Sequence, residues 1–218
     1  RASLGWQHAD LTGRDDVLSA QLQTSPTEPK LVKVFSSGYR LPLYRQRMAL
    51  DVFAGYSDVE GGATQTIAGD LNFNGRGRVL GTRAGWYLAR WGEFDQRVSL
   101  GLDHRAYLNR CTIAGLGSGV CGPAGESVTV HPLSLECSAQ AGGPASLGLS
   151  VSLNGNLRLG GQNTSASHFE AVRPGAPPSY VALRFGASGG TVVAEDWSIR
   201  GRITGQLTRD GLGPGEQF

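Results

Sequence analysis

The residue types able to do chemistry are few and scattered. Four histidines, His8, His104, His131 and His168, fall on four separate segments, and none adjoins a serine–acid pair in a recognisable motif. A histidine base must lie within hydrogen-bond reach of the nucleophile it activates. The nearest approach joins His104 to Ser134, as in a barrel hydrolase with its site on the outer face. Ser134 has the wrong parity for that face, so the pairing fails. Cys111, Cys121 and Cys137 lack the fourth ligand a structural zinc needs. Cys111 and Cys121 flank a Gly-rich loop and suggest a local disulfide in an oxidising compartment, with Cys137 left over. Three unpaired thiols are the alternative. Gly75–Gly81 (GRGRVLG) imitates a phosphate loop, but no helix follows to supply the N-terminal dipole. Its glycines serve better to ease the bending of a strand. The sequence therefore predicts no catalytic residue, no metal site and no cofactor site.

What remains is a set of charges, and strands must position it. In Ala145–Leu159, Leu147, Leu149, Val151, Leu153, Leu157 and Leu159 share one parity, and Ser146, Gly148, Ser150, Ser152, Asn154, Asn156 and Arg158 share the other. Alternate strand residues face opposite sides, so this is a ribbon with one apolar and one polar face. About fifteen residues exceeds the usual soluble strand of five or six and suits a tilted membrane strand of roughly nine to eleven. Val17–Thr24, Met48–Asp58, Arg78–Arg90, Gln96–Asn109, Val128–Gln140, Ser179–Ala187 and Trp197–Thr208 repeat the pattern, and Leu31–Leu41 does so less cleanly. With the apolar parity toward lipid, Arg40, Arg83, Arg97, Arg105, Arg158, Arg184, Arg200 and Arg202 line a lumen, against Asp51, Asp103 and Glu136. Such a lumen suits a conduit for polar solute or extended polypeptide. Equally, the arginines could simply satisfy one another, the carboxylates and lumen water.

The 218 residues contain 33 glycines, 39% hydrophobic residues and a formal net charge of +2. That charge is too small to argue for nucleic acid. No run of eighteen apolar residues occurs, which excludes a helical span. Linkers alternate between short turns, such as Asp10–Asp15 and Trp91–Asp95, and longer segments, with Val59–Asn74, Arg110–Ser127 and Gly160–Pro178 expected as loops and Ser188–Glu195 as a turn. Short periplasmic turns opposite long extracellular loops mark outer-membrane barrels. The expected fold is all-β: an antiparallel up-and-down outer-membrane barrel, present as about ten strands. The chain begins at Arg1 inside a strand and ends at Phe218 without a clean boundary, so an excised fragment is expected, either an open, curved sheet with two unpaired edges or a strained small closure. Outer-membrane lipid is then one partner.

Several motifs, in order, bear on identity: DLTGRDDVLSAQLQTSP (Asp10–Pro26), GYRLPLY (Gly38–Tyr44), FAGYSDVEGG (Phe53–Gly62), GRGRVLGTRAGWYL (Gly75–Leu88) and VTVHPLSLEC (Val128–Cys137). They resemble the barrel of two-partner secretion transporters of the TpsB type, the ShlB/FhaC/HecB haemolysin secretion/activation family. GPGEQF (Gly213–Phe218) resembles the approach to that family's sixth extracellular loop. The resemblance implies a 16-strand barrel of a Gram-negative outer membrane, of which residues 1–218 would supply strands two to eleven. The periplasmic POTRA domains and the loop-six motif would lie outside the chain. It also implies translocation of a secreted TpsA-type exoprotein, of haemolysin or adhesin type, without enzymatic activity. A passive porin and a barrel-assembly factor of the same superfamily are the competing readings.

Overall fold

The computed structural model describes residues 2–66, 69–113, 118–143 and 145–217, with backbone alone for 62–66, 69–73, 118–120 and 214. Eleven strands form one antiparallel sheet: β1 (Ala2–Ala9), β2 (Val17–Thr24), β3 (Val32–Leu43), β4 (Met48–Thr66), β5 (Gly69–Tyr87), β6 (Phe94–Ile113), β7 (Val128–Val130), β8 (Pro132–Ala141), β9 (Ala145–Asn156), β10 (Val181–Ala194) and β11 (Trp197–Thr208). Ten of them follow one another in sequence order, and the three-residue β7 pairs only with β6. β1 and β11 end the path, and among the described residues no ladder joins them, so the wall is open.

Register carries the alternation across the whole sheet. One row runs Leu41, Leu50, Ala84, Leu100, Leu135, Leu153, Leu183, Leu207. The row beside it, on the opposite face, runs Arg40, Asp51, Arg83, Gly101, Ser134, Asn154, Ala182, Thr208. A one-residue slip anywhere would interchange these faces, so each ladder must hold its register. The polarity is inverted relative to a water-soluble sheet. Leu153 is 50% exposed and Leu207 61%, whereas Asp103 is 3% and Asn154 8% exposed. Exposed apolar area on this scale is tolerated only where something other than water covers it.

The charged face is the crowded one. A Cβ added at Gly101 would stand 2.6 Å from Arg83 Cδ and from Ser134 Oγ, so only glycine leaves room there for the arginine to cross. The outer apolar band has two edges. At the short-turn end stand Tyr44, Trp86, Trp91 and Trp197, all exposed, as interfacial aromatics do. Toward the other end, β4 changes from Met48–Ala54 to Tyr56 and Asp58, and Asp58 accepts from Arg76 Nε at 3.1 Å. The eight residue steps from Met48 to Tyr56 rise about 26 Å along the strand, or about 20 Å across a bilayer at the usual tilt. That matches an apolar band about 25 Å tall.

Several sequence expectations need correction. Val59–Asn74 is not a loop: β4 runs to Thr66 and β5 starts at Gly69, so the expected long loop is a tall hairpin. Its ladder is a backbone property, and above the bilayer neither face needs an apolar parity. β6 reaches Ile113, shortening the expected 110–127 loop, which holds a 3-10 segment at Ser118–Gly125. The expected turn at 188–195 is strand: β10 continues to Ala194, paired with β11 up to Trp197. The Ala145–Leu159 ribbon stops at Asn156, which uses its side chain as a clip. Asn156 Oδ1 accepts from the His131 amide at 2.6 Å, and Nδ2 donates to Pro178 O at 2.6 Å. The 157–180 segment carries a short helix, α1 (Ala166–Val172), whose seven residues are too few for an amphipathic period to be read.

Candidate functional site

The inner face of β3–β6 is a zipper of guanidinium and carboxylate groups. Asp51, on β4, receives Arg40 Nε at 2.6 Å from β3 and Arg97 Nη2 at 3.3 Å from β6. Asp103, on β6, receives Arg83 Nη2 at 2.8 Å and Arg105 Nη2 at 2.7 Å. Two of the arginines stand over aromatic rings: Arg83 Cζ lies 5.2 Å from the Phe53 centroid and Arg97 Cζ 5.4 Å from that of Tyr87. The zipper fixes side chains that would otherwise sweep the lumen.

The other predicted lining residues are placed differently. Arg184, on β10, donates from Nε to Gln206 Oε1 at 3.1 Å and reaches Glu216 in the segment that follows β11. Arg158 lies beyond the end of β9 and donates to Ser179 Oγ at 3.1 Å, so it belongs to a loop and not to the strand wall. Glu136 and Arg202 border an open groove of about 670 Å3, together with Ser138, Ser150, Ser152 and Thr204. Arg200 shares β11 with Arg202, and both are exposed. Polarity is thus divided: ion pairs line β3–β6, while hydroxyls and amides dominate β8–β11.

At the loop end, three segments fold inward over this face. The 118–125 segment is tied to the top of β6 by a Cys111–Cys121 disulfide, and Cys137 is a free thiol on the outer face. α1 brings Phe169 against Val128, Val130 and Tyr107, forming a small buried apolar cluster. The tail, 209–217, seats Leu212 on Tyr180 and Ala182. Arg173 donates to Leu212 O, linking the loop that carries α1 to the tail. Burial and the Glu216 carboxylate hold the Tyr180 phenol above its ordinary pKa.

Sequence reasoning missed two contacts. His104 Nδ1 and His131 Nε2 lie 3.0 Å apart, although the residues sit on segments 27 positions apart. Burial and the neighbouring His104 lower the His131 pKa. The second is Glu216, 3% exposed and held by arginines from two strands. Neither contact has a local sequence signal, because β6–β7 pairing makes one and tail folding the other. Among the described residues no cluster of three or more His, Cys, Asp or Glu could hold a metal ion.

No family model and no curated protein sequence matches the chain. The solved structures that share its fold include two CdiB proteins. CdiB from Escherichia coli superposes with a TM-score of 0.78 at 13% identity, over 97% of this chain and 38% of that one. CdiB from Acinetobacter baumannii gives 0.71 at 14% identity, over 99% and 37%. At this identity the likeness establishes the fold, an up-and-down barrel wall. The chain spans a little over a third of each structure it matches.

Proposed function

We propose that this chain is part of the barrel wall of a two-partner secretion transporter of the TpsB type, in a Gram-negative outer membrane. The carrying observation is the fold likeness to the two CdiB structures over nearly the whole chain, since the CdiB proteins are transporters of that type. The motifs quoted from Asp10 to Cys137, and GPGEQF at Gly213–Phe218, support the same reading. The lumen is the polar face, with Arg83, Arg97, Arg105, Arg184, Arg200, Arg202, Asp51, Asp103 and Glu136 on it, and the apolar rows face lipid. In the parent, six further strands close the barrel, and POTRA domains receive the cargo. The cargo is a large TpsA-type exoprotein of haemolysin or adhesin type, moved unfolded to the cell surface.

A hydrated, polar wall supports passage of an extended chain because every exposed peptide group meets a hydroxyl, amide or water partner. The zippered arginines of β3–β6 are held two to each aspartate, Arg40 and Arg97 on Asp51 and Arg83 and Arg105 on Asp103, which fixes them on the wall and limits long-lived trapping of a passing segment. The test is secretion. Deleting the parent gene should abolish surface appearance of a large exoprotein encoded beside it, while assembly of other barrels continues. Loss of general barrel assembly would favour the assembly-factor reading, and loss of small-solute uptake alone would favour a porin.

A further inference from the structure

The tail that lies against the charged face carries a clasp whose parts come from distant strands. Arg105 Nη1 on β6 donates to Glu216 Oε1 at 2.9 Å. Arg184 Nη2 on β10 stands 3.5 Å from Glu216 Oε2 and donates to the Glu216 main-chain carbonyl at 2.8 Å. The Tyr107 hydroxyl donates to Gly215 O at 3.4 Å. Four contacts therefore meet one residue pair, two on the carboxylate and two on peptide carbonyls.

The wall at this point is short of negative charge. Asp103 is already shared between Arg83 and Arg105, and among the described residues Arg184 finds only the neutral Gln206 on its own sheet. Three guanidinium groups thus face one wall carboxylate, and the tail supplies the second. Lifting the tail would leave Arg105 and Arg184 partly uncompensated beside buried aromatic rings, where an unpaired charge is costly. Whatever replaces the tail must bring an anion.

We propose that Arg105, Arg184 and Tyr107 form a peptide-carboxylate site on the lumen wall. Glu216 is its resident occupant, and an acidic segment of a passing polypeptide is its competing ligand. Two features point to a peptide and away from a simple inorganic anion: the carbonyl contacts from Arg184 and Tyr107, and the requirement for glycine beside the acid. A Cβ at Gly215 would sit 2.5 Å from Tyr107 Cζ, so the site takes an acid preceded by a residue without a side chain. Exchange of one carboxylate for another leaves the ion pairing constant, which lets the tail yield to cargo without a bare intermediate. This inference rests on the secretion reading for the source of the ligand, but not for the binding itself.

The experiment uses the detergent-solubilised full-length parent and two fluorescein-labelled peptides, a triple Gly-Glu repeat and a triple Gly-Gln repeat, followed by anisotropy. Glu216→Gln removes the internal competitor, so the Gly-Glu repeat should bind at least about tenfold tighter than to the wild type, as expected when a tethered ligand vacates its site. Adding Arg105→Gln and Arg184→Gln should abolish that gain, and the Gly-Gln repeat should bind none of the variants. Gly215→Ala, which displaces the tail while keeping both arginines, should reproduce the gain. The proposal is overturned if Glu216→Gln and Gly215→Ala bind no tighter than wild type, or if the triple variant binds equally well. Failure of secretion alongside intact peptide binding would sink the transport reading and leave this site standing.

Discussion

Placing an arginine at Val151 tests the assignment of faces in the membrane. Val151 lies on β9, half exposed, paired on its two sides with Cys137 and Phe185. It stands six residues above Ala145, the first residue after a short turn. That rise is about 20 Å along the strand and about 14 Å across the bilayer at the usual tilt, close to the midplane of an apolar band about 25 Å tall. A lipid-facing arginine at that depth costs about 2–4 kcal/mol. Ser152, the next residue along, belongs to the polar parity and borders the groove with Ser138 and Arg202. An arginine there meets water, and its cost should be within about 0.5 kcal/mol of zero, as at an ordinary surface position. The assay is guanidinium unfolding of the full-length protein in lipid vesicles, monitored by tryptophan fluorescence, with the two variants compared at equal m-value. Equal destabilisation by Val151→Arg and Ser152→Arg, or a larger effect at Ser152, would refute the face assignment.

Other consequences follow from the same geometry. Asp103→Ala leaves Arg83 and Arg105 without their shared, buried acceptor and should cost about 2–3 kcal/mol in the same unfolding assay, whereas exposed Asp95→Ala should be close to neutral. Intact mass should increase by two hydrogens on reduction of the Cys111–Cys121 bond, whose loss removes up to about 3 kcal/mol of loop-closure stabilisation; an unchanged mass excludes the bond. Asp16 is penalised by burial, but hydrogen bonding, led by the Thr12 amide and including the Thr12 hydroxyl, outweighs that and holds its pKa below the ordinary carboxylate value. Its contribution to stability is therefore present above that ordinary value and is lost as pH falls through the lower folded one. On acidification below about pH 4, wild type should lose stability more steeply than Asp16→Asn, and parallel profiles would remove this role.

The wall was legible in the sequence because lipid and water impose opposite demands on adjacent residues. Leu149, Val151 and Leu153 against Ser150, Ser152 and Asn154 can hardly be read otherwise, and the apolar row through Leu153 runs unbroken from Leu41 to Leu207. The same logic located Arg83, Arg97 and Arg105 on one face without saying what they touch. Their partners depend on register, and register depends on hairpin geometry some tens of residues away. Reading failed where the bilayer stops. Val59–Asn74 has no parity because neither side of the tall hairpin meets lipid, so a ladder there leaves no compositional trace. Likewise α1 and the tail fold inward through single residues, Phe169, Leu212 and Glu216, each unremarkable in its local sequence.

The most direct test of the central claim, an outward lipid face and an inward polypeptide track, uses two neighbouring residues of β9. Single cysteines at Ser150 and Val151, in a Cys137→Ala background of the parent, would be challenged with a cargo stalled in transit and carrying a thiol-reactive crosslinker. The account predicts crosslinking at Ser150 and none at Val151, with Val151 instead labelled by a lipid-dissolved maleimide. Crosslinking of cargo to Val151, or to neither position while the cargo is demonstrably stalled in the pore, would contradict it.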